Sequence, residues 1–424
     1  MKVYLQSLGC RLNQSEIEAM ARRFQAAGHV VVGDPAQADV CVLNTCAVTA
    51  EAERKTHRCI RELARAKPGM RIAVTGCFAT LAPERSAALS GVAWVIPNAD
   101  KDRTVEAVGK GEANRVRDAG VSALSLDLPR RYGRTRAFVK VQDGCDNHCT
   151  YCIVRLLRGS SRSRPLAEVV EEIQTLVEAG YQEVVLTGVN LGAYGRDFDS
   201  PASLRELVET LLAHTDLPRL RLSSLEPWDL DEDFFQLWED ARLCRQLHLP
   251  LQAGCDETLR RMGRRITATA FARLVRAARA AVPDAAVTTD IIVGFPGEDD
   301  AAFRASYDFV KAVGFARLHV FPYSPRPGTP AARLPGRVGR GMRRDRARAM
   351  RKLGTEQARH FRRRFLGREM MVLWERRRRG GLWAGLTDNY VRVVTQAEDN
   401  LHNRLIVTQL VAERDGCLVG EVIR

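Results

Sequence analysis

Strand-like apolar runs alternate with amphipathic stretches, and this alternation constrains the fold more than any other feature of the 424-residue chain. Up to about residue 125, β-branched apolar runs predict strands, and stretches with helical spacing predict the helices between them. The predicted strands are Val3–Leu8, Val40–Asn44 and Ile72–Thr75, and the predicted helices are Asn13–Ala27, Thr49–Ala66 and Pro83–Leu89. This pattern predicts an α/β fold that begins with a doubly wound parallel-sheet domain.

The alternation resumes at Ala137 and continues for six strand–helix units. The predicted strands are Ala137–Gln142, Glu183–Gly188, Leu220–Leu225, Leu247–Gln252, Val287–Gly294 and Arg317–Pro322. The predicted helices are Leu166–Ala179, Leu204–His214, Asp231–Asp240, Ala268–Ala281 and Asp300–Val313. Six consecutive units predict a central partial (β/α)6 barrel, whose active site lies at the carboxyl ends of its strands.

The carboxyl-terminal part combines a basic helix with short strands. Arg343–Phe365 predicts a helix, and its apolar stripe predicts a docking surface. The stripe consists of Met350, Leu353, Phe361 and Phe365. The strands predicted after it are Met370–Trp374, Leu382–Gly385, Tyr390–Thr395, Leu405–Val411 and Leu418–Ile423. Five strands over this length predict a small C-terminal β-barrel, an architecture often used to bind oligonucleotides.

These patterns divide the chain into three predicted domains, at residues 1–125, 131–366 and 367–424. The periodicity weakens between about residues 112 and 135, which predicts a linker between the first two domains.

Three cysteines lie close together directly after the first strand of the central region. Cys145, Cys149 and Cys152, the barrel triad, have the spacing Cys-x3-Cys-x2-Cys. A [4Fe–4S] cube normally takes four thiolates, so three would leave one iron open to an external ligand. Zinc is the alternative, but structural zinc sites prefer four ligands and no second cysteine pair follows here. Chance clustering is the other alternative, which this tight spacing disfavours.

Three further cysteines, the N-terminal triad, stand at equivalent places in the first domain. Cys10, Cys46 and Cys77 each follow a predicted strand, so they should meet at one edge of a parallel sheet. There they could bind a second cluster that again has one open iron. The remaining cysteines are interpreted as core or incidental residues, namely Cys41, Cys59, Cys244, Cys255 and Cys417.

The barrel triad resembles the signature of the radical S-adenosylmethionine (SAM) superfamily, with Tyr151 as its aromatic residue. In that superfamily the open iron is chelated by SAM, and the reduced cluster cleaves SAM to a 5′-deoxyadenosyl radical. Glycines and polar residues at the predicted strand ends are compatible with a SAM cavity, because they allow close backbone approach and hydrogen bonding. The residues predicted to bind SAM are Tyr151, Gly188, Asn190, Ser223, Glu226, Gln252 and Gly294.

The formal charge of +14 is concentrated near the carboxyl end. Residues 333–379 contain 18 Arg and Lys residues against four acidic ones, so this segment carries the whole excess. Such concentrated charge favours a nucleic-acid partner, whereas the alternative, a solvated helix face, usually mixes both signs. Arg376, Arg377, Arg378 and Arg379 are predicted to form a basic turn between two strands and to contact RNA.

The cysteines also indicate the compartment. Eleven scattered cysteines indicate metal-binding or catalytic thiols in a reducing environment rather than a disulfide framework. No apolar stretch approaches the roughly 18 residues of a membrane span, and the first residues predict a strand rather than a signal peptide. The sequence therefore predicts a cytoplasmic protein without a membrane partner.

Over nearly its full length the chain resembles the methylthiotransferases of the radical SAM superfamily, and most of all the branch acting on N6-threonylcarbamoyladenosine in tRNA. The stretches that carry this resemblance are Gly9–Asn13, Asn44–Thr49, Gly192–Gly195, Leu222–Pro227, Thr289–Glu298 and His319–Ser324. The branch acting on N6-isopentenyladenosine shares much of this pattern, and the branch acting on a ribosomal protein aspartate fits less well. After the barrel triad, Ile153–Gly159 lacks the family's usual proline, although Arg158 and Gly159 match.

The resemblance implies a cluster-binding domain, a radical SAM barrel and a C-terminal TRAM domain, with one [4Fe–4S] cluster on each triad. It implies that a methylthio group is inserted at C2 of the modified adenosine beside the anticodon, with SAM as methyl donor and radical source. The implied partners are the tRNA anticodon arm, an electron donor such as a flavodoxin or ferredoxin, and a sulfur source.

Two other functions share part of this pattern. A non-catalytic iron–sulfur RNA-binding sensor would need clusters and a basic face, but no open iron. A radical SAM RNA methylase would not need the N-terminal triad.

Overall fold

The computed structural model describes residues 1–109, 135–378 and 380–423, and its first domain is built on a parallel sheet. The strands are β1 (Lys2–Ser7), β2 (Val30–Val32), β3 (Val40–Thr45), β4 (Arg71–Gly76) and β5 (Val92–Ile96), in the order β2-β1-β3-β4-β5. The helices are α1 (Arg11–Ala26), α2 (Ala50–Ala66), α3 (Cys77–Leu81), α4 (Pro83–Ala87) and α5 (Thr104–Gly109). The predicted α/β fold is confirmed, and the sequence prediction missed β2 and β5, which are short edge strands.

Helices cover both faces of this sheet because its central strands are buried on both sides. All six residues of β3 are buried, and β4 is nearly as enclosed. Helix α2 begins at the N-cap Thr49, whose hydroxyl accepts a hydrogen bond from the N–H of Ala52. The predicted linker at about 112–135 lies almost wholly outside the described residues, as does the boundary between 125 and 131.

Six strands form the predicted partial barrel. They are β6 (Arg136–Lys140), β9 (Glu183–Thr187), β10 (Leu220–Leu222), β11 (Gln246–His248), β12 (Ala286–Val293) and β13 (Arg317–Pro322). Two parallel sheets, β6-β9-β10 and β11-β12-β13, are joined by parallel bridges such as Ser224 with His248. A two-stranded ribbon, β7 (Gln142–Asp143) with β8 (Arg162–Ser163), flanks the cysteine loop.

The barrel contains four of the five predicted helices, together with two short helices that the sequence analysis did not predict. The helices are α6 (Val154–Arg158), α7 (Leu166–Glu178), α8 (Leu204–His214), α9 (Asp256–Arg261), α10 (Ala268–Ala281) and α11 (Asp300–Val313). The helix predicted over Asp231–Asp240 is wrong, because this segment forms a 3₁₀ helix at Asp233–Glu239. Its aromatic and apolar residues repeat every three positions, as in Phe234 with Leu237, which suits three residues per turn.

The carboxyl-terminal part contains a long helix, α12 (Arg340–Arg363), and a closed five-stranded barrel. Its strands are β14 (Glu369–Arg377), β15 (Leu382–Thr387), β16 (Arg392–Gln396), β17 (Arg404–Arg414) and β18 (Cys417–Val422). The predicted small barrel is therefore confirmed. Arg376 and Arg377 belong to β14 rather than to a turn, because a bulge after Trp374 lets them pair with Ala384 and Trp383.

The apolar stripe of α12 joins two hydrophobic cores. Met350 and Leu353 are buried in the core of the central barrel, whereas Phe361 and Phe365 are buried in the core of the C-terminal barrel. The predicted docking role of this stripe is thus confirmed.

The C-terminal barrel packs against residues at the start of the central strands. The Arg221 guanidinium donates to the carbonyl of Asp388 at 2.7 Å, and the Arg245 Nε lies 2.6 Å from the Asp388 carboxylate. Among the described residues, no helix combines the length and apolar character needed to cross a membrane.

Candidate active site

The N-terminal triad lies at the carboxyl ends of three neighbouring strands, as predicted. Cys10 follows β1, Cys46 follows β3, and Cys77 begins α3 directly after β4. Gly9 has φ +109°, and a Cβ placed there would lie 2.5 Å from the Cys46 Cβ and 3.0 Å from its Sγ. The backbone before Cys10 therefore lies against Cys46. Cys46 and Cys77 are buried, whereas Cys10 is exposed.

Electrostatic interactions indicate that the three thiols are neighbours. Burial is the main reason that the pKa of Cys46 is raised to about 12. The negative charges of Cys77 and Cys10 raise this pKa further, and the hydrogen bond from the N–H of Val48 lowers it. In the described part of the chain, no three His, Cys, Asp or Glu side chains are close enough to hold a single metal ion. A four-iron cube binds each thiolate at a different iron and therefore spaces the sulfurs more widely than a single metal ion does.

The barrel triad lies in the loop between β7 and α6. Gly144 has φ +70°, and a Cβ there would lie 1.9 Å from the carbonyl oxygen of Ser160. The Cys145 N–H donates to the Gly159 carbonyl at 3.1 Å, which closes the loop. Burial raises the pKa of Cys152 to about 12 despite the N–H of Val154, and Cys149 and Cys145 add to the rise. The three thiols of this triad are therefore also neighbours.

An arginine that the sequence prediction missed links the barrel triad to a predicted SAM residue. The Arg264 Nη1 lies 3.8 Å from the Cys149 Sγ, and its Nη2 lies 2.8 Å from the Glu226 carboxylate. The guanidinium also stacks on Trp228, 4.2 Å from the ring centroid. No motif could have identified Arg264, because it contacts Cys149 from a position 115 residues away.

The other predicted SAM residues lie at the same edge of the barrel. The Asn190 N–H donates to Gln142, but the buried Oδ1 of Asn190 has no hydrogen-bond partner, so it can accept a bond from a ligand. The Gly188 N–H lies 3.4 Å from the Ser223 hydroxyl.

Gln252, Gly294 and Tyr151 complete this set. The Gln252 backbone has φ +73° and hydrogen-bonds to β12. The Gly294 N–H donates to Glu298, and Tyr151 packs against the cluster that contains Phe295. Contact of these residues with SAM stays a prediction.

A cavity of about 1080 Å³ lies between the first domain, the end of β13 and the start of α12. Gly9 and Cys46 line it on one side, and Tyr323, whose buried hydroxyl has no hydrogen-bond partner, lines it on another. Its basic lining residues are Arg54, Lys55, Arg340, Arg343, Arg344 and Arg351, with the acidic Glu51 among them. An anionic ligand suits this lining.

The predicted RNA-binding arginines occupy a different place, on the C-terminal barrel. Arg376 and Arg377 are exposed and Arg378 is half-buried, whereas Arg379 lies outside the described residues. Their contact with RNA stays a prediction. The sequence prediction did not identify the cavity arginines individually, because the cavity is formed by residues of the first domain, β13 and α12, which lie far apart in the sequence.

Comparison with known proteins agrees with this architecture. Residues 2–96 match the family described as uncharacterized protein family UPF0004, and residues 139–310 match the radical SAM superfamily. The threonylcarbamoyladenosine tRNA methylthiotransferase MtaB of Thermotoga maritima is 38% identical over 395 residues, covering 92% of this chain and 90% of that protein. The tRNA-2-methylthio-N(6)-dimethylallyladenosine synthase of Frankia alni is 38% identical over 348 residues, covering 79% of this chain and 70% of that protein.

A solved structure shares the fold at low identity. TsrM from Kitasatospora setae, a radical SAM methyltransferase with cobalamin and a [4Fe–4S] cluster bound, superimposes with a TM-score of 0.56 at 17% identity. The match covers 78% of this chain and 77% of TsrM, and at this identity it shows the fold alone.

The superfamily match confirms the predicted enzyme class, which uses a [4Fe–4S] cluster and SAM. The two tRNA-modifying relatives, which align with most of this chain, then narrow the enzyme class further. The chain belongs to the radical SAM methylthiotransferases, the family that includes the threonylcarbamoyladenosine tRNA methylthiotransferases.

Proposed function

We propose that this enzyme inserts a methylthio group at C2 of N6-threonylcarbamoyladenosine next to the anticodon of tRNA. It would hold two [4Fe–4S] clusters, one on each cysteine triad, and it would use SAM both as methyl donor and as radical source. It would act in the cytoplasm on the anticodon arm, with an external electron donor such as a flavodoxin or ferredoxin and an external sulfur source.

The residues at both triads fit iron–sulfur clusters. Sulfur atoms bound to iron carry negative charge, and N–H groups directed at them stabilise that charge. The backbone of Val48 donates toward Cys46, the backbone of Val154 toward Cys152, and the Asn98 amide lies 3.8 Å from the Cys77 sulfur. When bound, SAM and the clusters would supply the radical chemistry that replaces the C2 hydrogen of the purine with a methylthio group.

The observation that carries the proposal is the meeting of Cys10, Cys46 and Cys77 at one sheet edge. A radical SAM methylase would have no use for this second set of thiols, whereas sulfur insertion requires a second centre that holds sulfur. Cys46 also lines the large basic cavity, which would bring a substrate beside this triad.

The charge of the cavity favours the threonylcarbamoyl substrate over the isopentenyl one. The threonyl group carries a carboxylate, which several arginines and the free Tyr323 hydroxyl can bind. An isopentenyl group is a hydrocarbon and would be better matched by an apolar lining. The MtaB relative acts, by its name, on threonylcarbamoyladenosine.

Mass spectrometry of tRNA nucleosides from a deletion strain tests the substrate. The 2-methylthio derivative of N6-threonylcarbamoyladenosine should disappear, and the unmodified parent nucleoside should accumulate. Loss of the 2-methylthio derivative of N6-isopentenyladenosine instead would assign the enzyme to the other branch.

Iron content and SAM cleavage test the clusters. Anaerobically reconstituted protein should hold about eight irons, as two [4Fe–4S] clusters require. Cys149→Ala should abolish SAM cleavage but keep the spectroscopic signal of the other cluster, whereas Cys255→Ala should behave as wild type. Unchanged cleavage in Cys149→Ala would refute its ligand role, and reconstituted protein that never cleaves SAM would favour the iron–sulfur sensor.

A further inference from the structure

The short helix α6 physically connects the two cysteine triads. It begins two residues after Cys152, yet its apolar side packs into the first domain. Ile153 and Leu157 are buried in the hydrophobic cluster that contains Cys77 and Phe78. The peptide that leaves the barrel triad is therefore anchored in the domain that carries the other triad.

The last residue of α6, Arg158, is the centre of a buried ionic network. Its side chain is only 3% exposed. One guanidinium nitrogen, Nη1, lies 2.9 Å from a Glu16 carboxylate oxygen and 2.9 Å from an Asp143 carboxylate oxygen. The other, Nη2, donates to the Asn13 side-chain oxygen at 2.7 Å. These partners lie at sequence separations of 15 to 145 residues.

The partners of Arg158 adjoin the cysteines of both triads. Asn13 and Glu16 lie on the first turns of α1, which starts directly after Cys10. Asp143 lies two residues before Cys145, and its carboxylate also accepts a hydrogen bond from the N–H of Gly144. A single guanidinium thus contacts the segments that carry a ligand of each predicted cluster.

The network continues on both sides of the guanidinium. Lys101 Nζ lies 2.6 Å from Glu16, and the Asn44 amide donates to the same carboxylate at 2.9 Å. The Asn98 amide donates to the Leu157 carbonyl at 2.9 Å and lies 3.8 Å from the Cys77 sulfur. Asn13, Glu16 and Asn98 therefore tie α6 to the cysteine edge of the first domain.

A role in positioning explains the network better than a role in stability. Burying several charges costs desolvation, and buried ion pairs are often no more stable than apolar residues of the same size. The planar fork of arginine can instead fix three groups at defined angles, which the single charge of lysine does not.

We propose that Arg158 is a positioning residue that fixes the barrel triad relative to the N-terminal triad. This inference rests on the proposed two-cluster function. A small displacement between reacting centres costs much of the rate, so the fixed relation would keep SAM cleavage coupled to formation of the methylthio product.

Arg158→Lys tests this role, because it keeps the positive charge but removes the fork. In reconstituted full-length enzyme, the ratio of 5′-deoxyadenosine to methylthiolated nucleoside should rise about tenfold or more, as expected when reacting groups are misplaced. Iron content and SAM cleavage should stay near wild type. Electron paramagnetic resonance of the doubly reduced protein should show a changed magnetic interaction between the two clusters, which a purely local defect would not produce.

Arg155→Lys is the matched control on the same helix. Arg155 is exposed and its guanidinium contacts His148, so this variant should retain the wild-type ratio and spectrum. Asp143→Asn is a second test if Arg158→Lys does not fold, since it is isosteric and weakens the contact between Arg158 and the segment that precedes the barrel triad, together with the longer pair to Lys140. It should raise the same ratio by a smaller factor.

The outcomes separate the two proposals. If Arg158→Lys holds both clusters but keeps the wild-type ratio and cluster interaction, the positioning role is wrong. If Arg158→Lys cannot be loaded with both clusters, Asp143→Asn decides instead. A wild-type ratio of 5′-deoxyadenosine to methylthiolated nucleoside in Asp143→Asn would then overturn the positioning role. If wild-type protein itself holds only one cluster, the proposed function fails before the role of Arg158 arises.

Discussion

At the scale of single residues, two glycines determine the backbone conformation directly before Cys10 and Cys145. Gly9 and Gly144 both have positive φ, and both leave no space for a side chain. At Gly9 the close neighbour is Cys46 itself, whereas at Gly144 it is the backbone of Ser160 across the loop. Glycine is required at Gly144 because a backbone atom cannot move aside as a flexible side chain can, and at Gly9 because a Cβ at this positive φ would collide with the Cys46 side chain.

Gly144→Ala should destabilise the protein and loosen the loop of the barrel triad. The new methyl group would meet a carbonyl oxygen in a backbone conformation that L-residues avoid, which together should cost at least about 2–3 kcal/mol. Urea unfolding should report the loss, and reconstitution should leave the barrel triad depleted in iron.

Gly180→Ala separates the cost of an unfavourable backbone conformation from the cost of a steric clash. Gly180 also has positive φ (+86°), but nothing lies within 4 Å of an added Cβ. This variant should cost only about 1 kcal/mol and load iron normally. Equal losses in both variants would mean that the contact with Ser160 is unimportant.

The Asp388 carboxylate gives a pH-dependent contribution to stability. Burial alone would raise the pKa of Asp388, but the hydrogen bonds and charge of Arg245 outweigh it and hold the pKa below its ordinary value. A carboxylate with a lowered pKa stabilises the folded state above its unfolded pKa of about 3.9, and this contribution disappears as the pH falls further.

Asp388→Asn should therefore lower the free energy of unfolding by about 1–2 kcal/mol at pH 7, since both partners are partly exposed. The difference from wild type should shrink by pH 3, as measured by urea unfolding of the metal-free protein at both pH values. Asp415→Asn is the control, because that side chain is 92% exposed. A constant difference at both pH values would contradict the ionic origin.

Local pattern predicted the cysteines at these sites but not the residues that surround them. Each cysteine follows a strand, and parallel-sheet topology then brings the strand ends together, so Cys10, Cys46 and Cys77 could be placed from sequence. Arg158 could be matched only as part of a loop, because its partner Glu16 is 142 residues away. Such contacts depend on how domains pack, which a periodic pattern does not contain.

At the scale of elements, α12 belongs to two domains at once. Its first half faces the central barrel and the cavity, and its last turn enters the core of the C-terminal barrel. The helix is polar around most of its circumference, so its stability comes from packing of the narrow apolar stripe. Spacing alone predicted the stripe, but not that its two ends pack into different cores.

Phe365→Ala should destabilise mainly the C-terminal barrel. The ring is fully buried beside Phe361, and truncation of a buried phenylalanine costs about 3–5 kcal/mol. Limited proteolysis and calorimetry should show the C-terminal barrel opening at a lower temperature than the rest. Met342→Ala, at a site 47% exposed, should leave the transition unchanged, and a shared loss in both variants would contradict the packing argument.

For the whole molecule, the excess positive charge divides between two surfaces. The start of α12 directs arginines into the cavity beside Cys46, while Arg376 and Arg377 lie exposed at the end of β14. The composition predicted a basic segment but could not predict this division, because it depends on where the chain turns between the helix and the barrel.

Replacement of Arg376, Arg377 and Arg378 by Gln should therefore weaken binding of the anticodon arm in a salt-dependent way. Each lost phosphate contact lowers the slope of log affinity against log salt by about 0.7–0.9, so three contacts should reduce it by roughly two to three. Fluorescence anisotropy over a salt series measures the slope. Replacement of Arg276, Arg304 and Lys311, exposed on the outer helices, removes the same charge and should leave the slope nearly unchanged. If both triple variants lose affinity equally, only the net charge matters and the C-terminal barrel does not form the RNA interface.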